Sequence, residues 1–254
     1  MNLLSHRFSR ASISVCMEQA IALPPARDEV PLKRSQRREI VEIALAYGLI
    51  LLVIWTPPPM QKVFWYTAAT VITVLMALRF EGWKTAGLRW TNLLRSSWVV
   101  VAALAVAAAI LMAGVRFHTL HLPRPFVVDR YAGYALWACA QQFLLQGFFL
   151  SRILRVMKPG QAVLAAAVLF AAAHLPNPLL VPLTLLWGFT ACLHFLRYRN
   201  LIPLAVSHAI LGIVLTMTLP GPANHSMRVG LGYLRFSSAA THPAVPVSRA
   251  LTQP

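Results

Sequence analysis

The sequence predicts an all-α, polytopic transmembrane helix bundle of about seven spanning helices, within about one either way. Hydrophobic residues make up 58% of the 254 positions, charged residues only 12%, and the mean hydropathy is +0.63. The apolar residues come in blocks that approach the ~20 residues needed to cross a bilayer, and the basic residues collect between the blocks. The chain carries 23 Lys+Arg against 7 Asp+Glu, with a pI near 11.2. Such a balance can mark a nucleic-acid binder, but no aromatic-interleaved basic patch forms, so membrane lipids and not nucleic acid are the expected partners. Cys16, Cys139 and Cys192 have no C-x-x-C spacing, which indicates neither a disulfide framework nor a zinc knuckle.

Residues 1–39 are polar and Arg-rich and read as a basic, disordered cytoplasmic tail. Its run Lys33, Arg34, Arg37 and Arg38 would hold anionic head groups at about 1 kcal/mol each. The bundle is expected over 40–219. Its first segment, 40–56, is closed by Pro57, Pro58 and Pro59, which offer no amide hydrogen to continue a helix. The second, 63–78, leads into a loop with Arg79, Lys84, Arg89 and Arg95, and the third covers 97–113. The fourth, 132–150, ends at Arg152, Arg155 and Lys158. Pro176 stops the fifth, 161–175, Arg197 and Arg199 follow the sixth, 179–196, and the seventh covers 201–219. Residues 220–254 are Pro/Ser/Ala-rich, and disorder is expected there. The basic loops alternate as an N-in arrangement requires, with the loop holding Arg116, Arg124 and Arg130 running against the rule. The Arg/Ala/Pro-rich composition suggests a bacterial inner membrane.

From Arg130 to the C-terminus there is no Asp or Glu, yet Gln141, Gln142, Gln146, His174 and His208 sit within apolar segments. A polar side chain without a partner in hydrocarbon costs several kcal/mol, so these five invite the expectation that they meet. Gln142 and Gln146 are four apart and share a helical face, while Gln141 points about 100° away. Buried amides of this kind also serve as plain helix–helix glue at about 0.6–2 kcal/mol, and a lone imidazole near an interface can simply bond a carbonyl. Depth favours a common pocket: at 1.5 Å per residue, Gln142, His174 and His208 lie at levels differing by about 5–10 Å in a core about 30 Å thick.

The strings Gln141-Gln142-x-x-x-Gln146, Phe170-x-x-x-His174 and His208-x-x-x-Gly212 resemble the CPBP (CAAX-processing and bacteriocin-processing, or ABI) family of intramembrane endopeptidases. That family carries Glu-Glu-x-x-x-Arg, Phe-x-x-x-His and His-x-x-x-Asn on separate transmembrane helices. Gly147, Trp187-Gly188-Phe189 and Ile202-Pro203-Leu204 extend the likeness, which spans a CPBP-like core at 132–216. The resemblance implies a membrane peptidase in which the first motif activates water and the histidines, with the final polar residue, steady the reacting oxygen or, in an older view, a metal. The differences fall on that chemistry. A Gln amide cannot act as a general base, whereas its Glu counterpart can. Exchange of both the acid at 142 and the cation at 146 for Gln avoids stranding a buried charge at about 3–5 kcal/mol. Gly212 offers no side chain.

Zinc needs three protein ligands, and His174 with His208 supplies two, leaving His194 or Cys139 as the remaining options. Of the carboxylates, all of which precede the motifs, Asp129 is the one expected near the site. Two functions follow: an intramembrane peptidase acting through His174 and His208 with Gln141 orienting water, or a pseudoprotease that binds a hydrophobic peptide or membrane protein without cutting it.

Overall fold

An apolar run can satisfy its backbone N–H and C=O groups only by bonding to itself, and each apolar segment read from the sequence is accordingly helical. The computed structural model describes residues 32–80, 82–83, 86–120, 128–220 and 225–236, and among these there is no strand. Helix α1 (Leu32–Trp55) turns at Pro57 into α2 (Pro58–Ala77), whose first-turn prolines leave N–H positions that would have no intrahelical partner anyway. Gln61 Nε2 donates to the Val53 carbonyl at 2.9 Å across this turn. The short α3 (Leu93–Ser96) leads into α4 (Trp98–Arg116). Helix α5 (Val128–Gln142) continues as a π-helical stretch, Phe143–Leu150, into the short α6 (Ser151–Ile153). Then come α7 (Pro159–Ala172), α8 (Leu180–Tyr198) and α9 (Ile202–Thr218).

Two boundaries differ from the sequence reading. Helix α1 starts at Leu32, inside the stretch taken as tail, where Arg38 pairs with Glu42 one turn on along the helix. Residues 225–236, expected to be disordered, form a 3₁₀ turn (His225–Met227) and the short α10 (Gly230–Leu234), where Gly230 N–H donates to the Leu175 carbonyl at 2.7 Å. The expectations for 1–31 and 237–254 lie outside the described residues.

Helix α7 packs along α8, and α9 packs against both α4 and α5. Small residues permit the α7–α8 approach: Ala162, Ala166 and Ala167 are buried, and a Cβ on Gly188 would stand 3.3 Å from the Ala167 Cα. Phe148, Leu145, Leu150, Phe195 and Leu204 fill the centre. The exterior is also apolar. Leu93–Arg116 and Leu180–Tyr198 are long and apolar enough to cross a membrane, and only 17% of the apolar window of the first is buried, unlike the core helix of a water-soluble domain.

Among the described residues, the buried carboxylates and the buried guanidinium gather at one end of the α1–α2 hairpin, with Glu39, Glu42 and Arg152. Arg152 Nε donates to Glu42 Oε2 at 2.9 Å, Arg38 Nε to Glu42 Oε1 at 2.9 Å, and Arg155 Nη1 to Glu39 Oε1 at 3.1 Å. Arg79 completes the set through Glu39. The Arg152 guanidinium also lies 3.7 Å over the Phe148 ring and donates to the Leu75 carbonyl at 3.1 Å. Arg79, Arg152 and Arg155, read from sequence as topology signals, thus also pin α1 and the end of α2 to α6.

Removing one partner of such a buried pair strands the other. Arg152→Met is expected to destabilise the bundle by about 3–5 kcal/mol, and Arg152→Met with Glu42→Gln by clearly less. Thermal unfolding in detergent measures both.

Candidate functional site

The π-helical stretch decides how the three glutamines stand. A π turn makes i→i+5 bonds and is wider than an α turn. Here it stacks Gln146 beneath Gln142, with Gln146 Nε2 donating to Gln142 Oε1 at 3.5 Å, and Ser151 Oγ, five residues on, donating to the Gln146 carbonyl at 2.7 Å. Gln142 and Gln146 are fully enclosed. Gln142 Nε2 lies 3.0 Å from His208 Nδ1, joining α5 to α9. With Gln146 giving to Gln142 and the Gln142 amide nitrogen as the donor to the ring, His208 Nδ1 accepts, and a neutral ring in that arrangement carries its proton on Nε2.

His174 follows the end of α7, and its Nδ1 lies 2.7 Å from the Phe170 carbonyl. A carbonyl only accepts, so this nitrogen carries the proton and Nε2 keeps its lone pair. The Phe170 ring stands between the two histidines, 5.0 Å from His174 and 6.0 Å from His208 by ring centres. Trp187 of α8 closes on His208 at 5.9 Å. Gly188 allows this arrangement, since a Cβ there would press on Phe170 Cδ1 at 3.2 Å.

Gln141, about 100° round the helix from Gln142, faces a cavity of about 1160 Å³ that His174 and His208 also line. The five sequence candidates therefore converge but divide into two sets. Gln141, His174 and His208 line the cavity, while Gln142 and Gln146 form a buried polar line behind His208. The walls are otherwise mostly apolar, with Trp65, Ile72, Trp98 and Ile110 among them, and the volume exceeds that of most small-molecule pockets. Met227 and Val229 from the C-terminal stretch border it as well.

None of the described residues lining the cavity is Asp or Glu. Glu39 and Glu42 are held by arginines, the side chain of Asp129 lies outside the described set, and Glu18, Asp28, Glu29 and Glu81 are not among the described residues. The residues present do not fit a zinc site. No group of three or more His, Cys, Asp or Glu converges among the described residues. His194 makes tilted ring contacts with Trp98 and Tyr198 and has Nε2 2.9 Å from the Ser96 carbonyl, and Cys139 is exposed.

Sequence reasoning missed Tyr134 and the Trp187 indole. Tyr134 lies seven residues before Gln141, on the same face of α5, and lines the same cavity. That i, i+7 relation is the sequence signal that would have found it. A Cβ on Gly212 would overlap the Tyr134 hydroxyl, so phenol and glycine fill one space between α5 and α9. Trp187 Nε1 is buried and has no hydrogen-bond partner among the described residues.

Comparison with known proteins agrees with the motif reading. The family described as type II CAAX prenyl endopeptidase Rce1-like matches residues 126–214, a stretch that holds all five candidates. No curated protein and no solved structure matches the chain.

The donor order at His208 is measurable. With a carboxylate at 142, Nδ1 must become the donor, so Gln142→Glu is expected to move the ring proton of His208 from Nε2 to Nδ1. Imidazole ¹⁵N shifts of histidine-labelled protein report the tautomer directly.

Proposed function

We propose that the chain is a CAAX-type intramembrane endopeptidase whose altered site works through its two histidines. The observation that carries this reading is the pair of imidazoles on one cavity with different partners: His174 Nδ1 faces the Phe170 carbonyl, which leaves Nε2 to accept, and His208 Nδ1 faces the Gln142 amide nitrogen, which in this reading leaves Nε2–H to donate. In the proposed reaction, Gln141 orients a water by hydrogen bonding, as its amide can both donate and accept. His174 Nε2 takes a proton from that water as the oxygen bonds to the peptide carbonyl carbon. His208 Nε2–H donates to the carbonyl oxygen as it becomes negative. The carbonyl re-forms, the C–N bond breaks, and the proton on His174 passes to the leaving amine.

Two helices long and apolar enough to cross a membrane, with the shorter apolar Pro159–Ala172 and Ile202–Thr218 beside them, support a multi-pass arrangement, in which the Glu39/Glu42 cluster and the basic loop ends would lie on the cytoplasmic side. A bacterial inner membrane suits the composition. The apolar walls suit a hydrophobic peptide or membrane-protein segment entering from lipid, and exclusion of bulk water by such a segment would strengthen each polar contact made to it. No metal is needed in this scheme.

One observation favours a second reading, a pseudoprotease that binds such a segment without cutting: no carboxylate lines the cavity among the described residues. The two readings separate in proteoliposomes with a fluorogenic farnesylated CAAX peptide. Under the first, the native chain cleaves, and His174→Ala or His208→Ala lowers kcat by about 10²–10⁴-fold, the usual worth of a positioned acid or base. Under the second, the native chain binds the peptide uncut, and cutting emerges only on Gln141→Glu.

A further inference from the structure

The space beside Gly212 is filled from across the interface. Gly212 lies one turn beyond His208 on α9, so a side chain there would share the His208 face and point toward the same cavity. In its place stands the phenol of Tyr134, reaching over from α5: a Cβ on Gly212 would overlap the hydroxyl and come within 2.6 Å of the ring. Tyr134 shares its helix face with Gln141, and both border the cavity with His174 and His208. The hydroxyl is not drawn into a hydrogen bond with any described residue. A phenol keeps its proton at neutral pH, so it presents a donor.

We propose that Tyr134 is a catalytic residue whose O–H donates to the carbonyl oxygen of the bound peptide, beside His208 Nε2–H, supplying from α5 the polar group that Gly212 cannot supply from α9. The proton stays on the phenol throughout, and the hydrogen bond shortens as charge gathers on the oxygen, so the contribution falls on kcat and not on KM. Gly212 is then the complement of Tyr134, since any larger residue at 212 drives the phenol out. This role rests on the peptidase reading for its turnover arm alone.

The test uses the full chain in proteoliposomes, with the farnesylated CAAX peptide and an analogue in which a phosphinate replaces the scissile amide. Tyr134→Phe keeps the ring and removes the donor. Unchanged thermal unfolding is expected, with kcat lowered about 100-fold at constant KM and phosphinate affinity lowered by a similar factor while peptide affinity holds. Gly212→Asn alone is expected to lower stability, and Gly212→Asn on a Tyr134→Ala background to regain part of the turnover that Tyr134→Ala loses. Turnover and phosphinate affinity equal to native in Tyr134→Phe would overturn the assignment. A native chain that cleaves nothing would sink the peptidase reading instead. The phosphinate arm then still decides: weaker binding by Tyr134→Phe supports the donor, and equal binding removes it.

Discussion

The contact on which the site depends is the bond between Gln142 and His208, an amide against an imidazole that packs on the rings of Phe170 and Trp187. Neither group is stable alone in such surroundings, and each answers the other at little electrostatic cost. The bond ties α5 to α9, and it continues through Gln142 to Gln146. A carboxylate at 142 and a cation at 146 would form a stronger pair but carry a desolvation penalty of several kcal/mol per ion. The amide pair gives up that strength and leaves the core free of charge.

Charge is instead gathered at one end. Glu39 and Glu42 lie among Arg38, Arg79, Arg152 and Arg155, where the cost of burying each acid is shared among several cations. Arg152 follows Gln146 by six residues, so the cluster anchors the far end of the π-helical stretch. A π turn departs from the preferred α geometry and persists where its surroundings hold it. Here Ser151 bonds the Gln146 carbonyl and Arg152 bonds Glu42. The ionic cluster and the neutral line are therefore one mechanical unit, reached from opposite ends of the same helix.

Much of this was legible in the sequence. Apolar blocks bounded by Pro57, Pro176 and the basic loops became helices close to the expected limits, because in a chain this hydrophobic the backbone has few other ways to pair. The convergence of Gln141, His174 and His208 followed from the cost of leaving them alone. The start of α1 did not, since Lys33 to Arg38 reads as a solvated run until Glu39 and Glu42 are known to bind Arg152, more than a hundred residues away. No periodicity encodes that pairing. The π stretch was invisible for a different reason: its sequence, Phe143 to Leu150, is as compatible with an α-helix, and the difference is imposed by tertiary bonds.

The Tyr134–Gly212 contact shows what the motif text alone conceals. Read along α9, Gly212 is a loss, a position where a polar group is missing. Read across the interface, it is half of an exchange, since a phenol on α5 occupies that space and brings a hydroxyl with it. Gln142 and Gln146 are paired in the same way, amide to amide, four residues apart. The His208 ring packs against Phe170 and Trp187, while Gln146 Oε1, Trp187 Nε1 and Ser207 Oγ are buried with no hydrogen-bond partner among the described residues. Tyr134 with Gly212, and Gln142 with Gln146, are pairs in which the place of each residue depends on the other. A change at one member alone works against its partner.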